Sequence, residues 1–151
     1  MVLRMSLSYE DCITKGLLRK IPPSRDKARQ SIEKAQKWLE EAQKIFGSKA
    51  YNSAVSAAYL AMFHAARSML FWDGWREKSH ICVARYLEQY VKKEKLEQKW
   101  VDLLDHVREI RHEEQYDLGF FATKEEAEKT LQSAIQFLPR MKSLLDLISI
   151  A

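Results

Sequence analysis

The sequence has few of the residues that build hairpins or covalently stapled domains. Its 151 residues include four glycines, three prolines and two cysteines. Without turn residues or a β-branched alternating run, little room remains for strands. Cys12 and Cys82 are too few for a disulfide framework, and neither lies in a Cys-x-x-Cys or Cys/His array. We therefore predict a reducing, cytoplasmic location and no zinc finger.

An excess of one charge and a clear membrane segment are also missing. The 25 basic and 21 acidic residues give a net charge of +4, which permits an acidic partner such as nucleic acid but describes a mixed surface. The segment 51–72 carries only one charge, Arg67, but serines, an asparagine and a histidine interrupt it and alanine predominates. We predict a buried central helix there and no membrane association.

Helical periodicity dominates what is present. Apolar residues recur every three or four positions behind a candidate N-cap, Ser24, and this first long helix ends at Gly47. A third long helix begins near Ser79, and Thr123 with Glu126 forms a capping box that opens the last one. Short links between helices favour antiparallel neighbours. The sequence thus predicts an all-α, up-and-down helical bundle of four to five main helices.

The predicted bundle domain is 24–151. Residues 1–23 form a lead-in with a short helix from Tyr9 to Leu18, closed by Pro22 and Pro23 because proline cannot continue a helix.

One group of residues that could take part in binding or catalysis lies at the end of the fourth long helix. Arg111 lies four residues after Val107 in the apolar stripe, so it sits on or beside the packed face, where an unpaired guanidinium is costly. A structural ion pair or contacts with carbonyl groups inside the bundle would satisfy it. The alternative is that Arg111, with His112 and Tyr116 nearby, holds a phosphate.

A second group, 76–80, leads from a tryptophan-containing loop to a helix N-terminus. Lys78 and His80 next to free backbone N–H groups suit an anion or a stacked base. The structural alternative is that Ser79 is only an N-cap and the tryptophans cover the core.

Metal and cofactor chemistry find little support in the sequence. Glu77 with His80, and Glu109 with His112, match the Glu-x-x-His spacing of di-iron bundles. Such a site also needs a carboxylate from each of the other two helices, and the central helix contains no acidic residue. No glycine-rich phosphate loop or Ser-His-Asp order is present. We predict no metal and no cofactor.

Three motifs in order resemble the HEPN domain family, the higher-eukaryote and prokaryote nucleotide-binding family. They are AYLAMFHAAR at the start of Ala58 to His80, the KSH that ends this stretch, and the later VREIRHEEQYD. The resemblance extends from about Arg25 to Leu145. It implies a bundle of four or five helices, a homodimer, and a partner minimal nucleotidyltransferase in a toxin–antitoxin pair.

Many members of that family are metal-independent ribonucleases, whose signature is an arginine, a polar residue and a later histidine. On this resemblance Arg111 takes the arginine position and His112 the polar one, while Tyr116 falls where the histidine would be. Tyrosine hydroxyls ordinarily titrate near pH 10 and are poor general bases at neutral pH. His112 lies about 100° around the helix from Arg111, so it does not replace the missing histidine.

We therefore predict a non-enzymatic or weakly active module that binds a nucleotide, RNA or a partner nucleotidyltransferase. The expected binding residues are Arg111, Lys78, His80 and Arg108, with Tyr116 beside them. One alternative is a metal-independent ribonuclease with Arg111, His112 and Tyr116 as catalytic residues. The other is a purely structural interaction protein in which Arg111 serves the core.

Overall fold

The computed structural model describes residues 7–150 and shows a bundle of α-helices with one very small β-sheet. A short helix and a short strand precede five longer helices, and the second strand lies between the second and third of these. The elements in chain order are α1 (Tyr9–Thr14), β1 (Leu18–Lys20), α2 (Arg25–Gly47), α3 (Tyr51–Asp73), β2 (Trp75–Glu77), α4 (His80–Lys92), α5 (Gln98–Tyr116) and α6 (Lys124–Ser149). The prediction of an all-α bundle is confirmed.

Helix α3 is the centre of the bundle. Thirteen of its 23 residues are buried, and it packs against α2, α4, α5 and α6. Many of the buried positions are alanine, whose small side chain lets neighbouring helices approach closely. The prediction of a buried central helix is confirmed. Among residues 7–150, no helix is both long and apolar enough to cross a bilayer.

Side-chain caps begin two of the long helices as the sequence predicts. The Ser24 hydroxyl accepts a hydrogen bond from the Lys27 backbone N–H at 3.1 Å at the start of α2. At the start of α6, Thr123 accepts from the Glu126 N–H at 3.1 Å, and the Glu126 carboxylate accepts from the Thr123 N–H at 2.9 Å. This reciprocal pair is the predicted capping box.

The β-structure of the described residues is limited to two three-residue strands, in agreement with the expectation that little room remains for strands. β1 and β2 pair antiparallel, with Leu18 opposite Glu77 and Arg19 opposite Arg76. The predicted helix from Tyr9 to Leu18 was too long, because α1 ends at Thr14. Gly16 follows with a φ of +70°, a left-handed conformation that ends the helix and turns the chain into β1.

A disulfide fastens the N-terminal segment to the bundle. Cys12 in α1 and Cys82 in α4 are bonded across 70 residues of sequence, and both are fully buried. The sequence does not predict this pairing. Disulfides are rare in reducing compartments, so the two cysteines no longer support the expectation of a reducing location.

The end of α3 is held by a half-buried carboxylate and a tight turn. Asp73 accepts hydrogen bonds from the hydroxyls of Tyr86, at 2.6 Å, and Tyr90. Burial, and then the bond to Asp73, raises the pKa of both tyrosines. Gly74 has a φ of +88°, and a Cβ placed there would lie 2.6 Å from the Ile21 carbonyl oxygen. Only glycine fits where the N-terminal segment crosses this turn.

Candidate functional site

Two aromatic residues of α3 form the floor of the candidate site. Tyr59 and Phe63 are one helical turn apart, and they are 1% and 5% exposed. The imidazole of His80, the first residue of α4, stacks on the Phe63 ring with 4.1 Å between ring centres. Its centre lies 5.8 Å from that of Tyr59. The aromatic side chains of α3 therefore fix the position of the His80 ring.

A hydrogen bond orients the His80 ring. The Tyr59 hydroxyl lies 3.0 Å from His80 Nδ1, and no other partner of this buried hydroxyl is found among residues 7–150. Burial is the main cause of the raised pKa of Tyr59, so the hydroxyl keeps its proton. Because a buried O–H needs an acceptor, we assign Tyr59 as the donor and Nδ1 as the acceptor. The imidazole proton then sits on Nε2.

The charge of His80 follows from its surroundings. Although His80 is exposed as a residue, the partial burial of its ring against α3 lowers its pKa, and the cationic Arg111 nearby lowers it further. The ring is therefore neutral at pH 7 and carries one N–H, on Nε2. Such a ring donates a hydrogen bond to a ligand atom more readily than it accepts a proton.

Arg111 is held on α5 by the same aromatic floor. Its guanidinium carbon lies 5.4 Å from the centre of the Tyr59 ring, a cation–π distance. In the part of the chain that the structure describes, its Nε is buried without a hydrogen-bond partner and no carboxylate forms an ion pair with it. The structural ion pair that the sequence left open is not formed there.

His80 and Arg111 line one pocket of about 360 Å³ between the N-terminus of α4 and the C-terminal half of α5, whereas Tyr59 and Phe63 are not part of its lining. The pocket brings together most of the residues predicted from the sequence. Its lining consists of Ser79, His80, Ile81, Arg108, Glu109, Arg111, His112, Gln115 and Tyr116. The rings of His112 and Tyr116 are 4.8 Å apart, and Tyr116 is 69% exposed at the rim.

Two predicted binding residues are placed differently from the rest. Arg108 lines the pocket but is ion-paired with Asp105, which also pairs with Arg85. Part of its charge is therefore already compensated. Lys78 is exposed and does not line the pocket; its backbone N–H donates to the Leu17 carbonyl at 2.8 Å and prolongs the small sheet.

Tyr59 and Phe63 are functional candidates that the sequence did not single out. They looked like ordinary core residues of an apolar helix. One signal was available: Ser56, Tyr59, Phe63 and Arg67 follow one another at spacings of three or four and so share one face. Along this face Ser56 donates to Glu114 of α5 at 3.3 Å, and Arg67 pairs with Glu77 at 3.0 Å.

Neither Glu-x-x-His pair assembles a metal centre. Glu77 is ion-paired with Arg67, and His80 is stacked on α3 with its Nδ1 bonded to Tyr59. Within residues 7–150, no cluster of three or more His, Cys, Asp or Glu side chains could hold a metal ion.

Comparison with known proteins identifies the family of the chain. Residues 28–144 match the HEPN domain family. The chain belongs to the HEPN family. The HEPN match contains α3, α4 and α5, and with them every residue of the pocket, but it begins after β1.

Three curated relatives of this HEPN protein come from archaea. Two are proteins of Methanocaldococcus jannaschii that bear the name "Putative toxin". One is 30% identical over 115 residues, covering 76% of this chain and 78% of its own length, and the other is 30% identical over 132 residues, covering 87% and 96%. A "UPF0332 protein" of Archaeoglobus fulgidus is 30% identical over 115 residues, covering 76% and 92%.

Proposed function

We propose that this HEPN protein is a toxin-like module that binds RNA by holding a phosphate in the pocket between α4 and α5. The observation that carries the proposal is Arg111, whose Nε is buried without a partner in the described chain while its guanidinium lines the pocket. A guanidinium fork matches two phosphate oxygens. The names of the two Methanocaldococcus relatives support the toxin-like part of the proposal.

His80 supplies a second donor to the same phosphate. With Nδ1 occupied by the Tyr59 hydroxyl, its Nε2–H is free to donate. The stacking on Phe63 holds the ring, so little side-chain freedom is lost when a ligand binds. Tyr116 and His112 at the rim offer ring faces to a neighbouring base.

The same geometry favours binding over catalysis. A ribonuclease of this kind needs a base to take the proton of the ribose 2′-hydroxyl, and a histidine serves only through an unprotonated nitrogen. His80 has its lone pair directed to Tyr59, and a tyrosine hydroxyl such as that of Tyr116 is a poor base at neutral pH, so a ribonuclease would need His112 as its base. We nevertheless keep the metal-independent ribonuclease as the second candidate, because Arg111, His112 and Tyr116 line one pocket.

The test is RNA binding by the purified full chain, with cleavage scored in the same samples and EDTA present. Fluorescence anisotropy of a labelled single-stranded RNA compares the wild type with Arg111→Gln. Losing a charge-assisted hydrogen bond should weaken binding roughly 10- to 100-fold. Arg29→Gln is the matched control, because Arg29 is exposed on α2 and paired with Asp26. It should bind like the wild type.

The outcomes separate the candidates. Binding without cleavage that depends on Arg111 supports the recognition module. Cleavage that persists in EDTA and disappears in Arg111→Gln would favour the ribonuclease. If Arg111→Gln melts like the wild type and binds RNA equally well, the pocket is not the site. A lower melting temperature with unchanged affinity would point to the purely structural role.

We also propose that the protein forms a homodimer and pairs with a minimal nucleotidyltransferase, as its HEPN membership suggests. An exposed apolar loop after α5 supports an interaction of this kind: Leu118 is fully exposed and Phe121 is 79% exposed. Light scattering should give twice the monomer mass. A monomer at every concentration tested would contradict the homodimer.

A further inference from the structure

The small sheet carries an unusual concentration of unpaired positive charge on its outer face. Arg19 of β1 lies directly opposite Arg76 of β2, and both are exposed. Like charges at directly opposed positions of an antiparallel pair destabilise it. Lys78 prolongs this ladder two residues beyond Arg76, so it falls on the same face. We call Arg19, Arg76 and Lys78 the basic ribbon.

The two faces of the sheet are clearly distinguished. Leu18 is 3% exposed, and its partner Glu77 is held by Arg67 of α3, so this face of the sheet is turned to the bundle. Successive side chains of a strand point to opposite sides. Arg19 and Arg76 therefore point away from the protein.

Nothing in the described chain compensates the basic ribbon. Among residues 7–150, none of its three cations forms an ion pair with a carboxylate. The acids nearest in sequence to Arg76 and Lys78 are already engaged: Glu77 with Arg67, and Asp73 with two tyrosine hydroxyls. The fold thus brings like charges together and leaves them for an external anion.

The backbone that carries the basic ribbon is anchored on both sides of β1, which opposes the repulsion between its cations. The disulfide from Cys12 to Cys82 anchors the segment before β1 to α4. After β1, the Ile21 N–H donates to the Gly74 carbonyl at 3.0 Å, in the turn that tolerates no side chain. A preformed arrangement of cations loses little freedom on binding.

The basic ribbon is adjacent in sequence to the proposed RNA site. Lys78 is followed by Ser79 and His80, which line the pocket. We infer that the basic ribbon is a second contact surface for RNA, gripping the phosphate backbone of the strand whose phosphate occupies the Arg111 pocket. This inference rests on the proposed function. Guanidinium groups suit phosphate, and two residues along a strand span about 6.7 Å, so successive cations face an extended polyanion.

The experiment measures the salt dependence of RNA binding by the full chain. Each phosphate contact on a single strand contributes roughly 0.7 to the slope of log affinity against log salt. The double variant Arg19→Gln/Arg76→Gln should therefore lower the slope by about 1.4 and weaken binding roughly 25-fold at about 0.1 M salt. The control is Lys37→Gln/Lys44→Gln, which removes two exposed charges from α2. It should leave the slope unchanged.

A single reversal separates binding from folding. Arg19→Glu places opposite charges across the strand pair, so it should raise the melting temperature. It should nevertheless weaken RNA binding at least as much as Arg19→Gln. A purely structural ribbon would not lose affinity while it gains stability.

The outcomes tell the two proposals apart. If Arg111→Gln weakens binding and both ribbon variants bind like the wild type, the basic ribbon is not an RNA contact although the pocket is. If the ribbon variants lose affinity and Arg111→Gln does not, the basic ribbon is an RNA contact and the pocket is not the phosphate site. A wild type that binds no RNA overturns both. Unchanged RNA affinity with weaker capture of an acidic protein partner would assign the ribbon to that partner and refute the inference.

Discussion

Reducing the disulfide between Cys12 and Cys82 should destabilise the protein strongly. The bond closes a loop of 70 residues, which restricts the unfolded chain. The chain-entropy relation for a loop of this length gives about 4 kcal/mol of stabilisation at 25 °C. For a domain of this size, that corresponds to a fall in melting temperature of about 10 °C.

The assay compares oxidised and reduced wild type in denaturant unfolding followed by circular dichroism. Both cysteines are fully buried, so the bond is reduced in denaturant, and thiol titration verifies that two thiols are released. Cys12→Ala/Cys82→Ala should behave like the reduced wild type, apart from the small effect of its own cavity. Equal unfolding midpoints for oxidised and fully reduced protein would refute the reasoning, because the loop constraint would then contribute nothing.

Three further predictions concern single residues. Burial lowers the pKa of His64 to about 4, so between pH 6.5 and 4 the unfolded chain binds a proton that the folded chain does not. The free energy of unfolding should therefore fall as the pH drops from 6.5 to 4. Urea titrations should show that His64→Gln flattens part of this pH dependence. Asp73→Ala leaves two buried tyrosine hydroxyls without their acceptor and should cost about 2–4 kcal/mol, whereas a midpoint like the wild type's would show that water replaces it. Thr123→Ala removes the α6 cap and should cost about 1 kcal/mol, which the same titration measures; no change would mean that the cap is redundant.

The long helices could be predicted because their signals are local. Ser24 begins α2 and Gly47 ends it, and the Thr123 capping box opens α6, as the sequence predicts. The Ser24 and Thr123 signals are hydrogen bonds within three residues of sequence. The left-handed residue after α2 is Lys49, with a φ of +68°, and not Gly47. The apolar spacing then identified which faces are buried.

The N-terminal segment could not be predicted because its structure depends on distant partners. Leu18 to Lys20 is too short to show an alternating pattern, and it is a strand only because β2 lies beside it. Likewise, no feature near Cys12 identifies Cys82 as its partner. The pairing follows from the way α1 packs on α4.

The candidate site was predicted in part. Arg111, His80, His112 and Tyr116 do converge on one pocket, as the motifs suggested. Their floor was missed, because Tyr59 in an apolar helix is indistinguishable from core until the hydroxyl's partner is known. Whether these residues bind RNA stays a prediction.

The position of β1 outside the matched region 28–144 has a consequence for how the domain can be divided. A chain trimmed to that region would leave the backbone of β2 as an open strand edge, a template for pairing with other molecules. It would also uncover the thiol of Cys82, whose partner would be gone. Trimming at the family boundary should therefore produce a protein prone to self-association through both strand pairing and intermolecular disulfides.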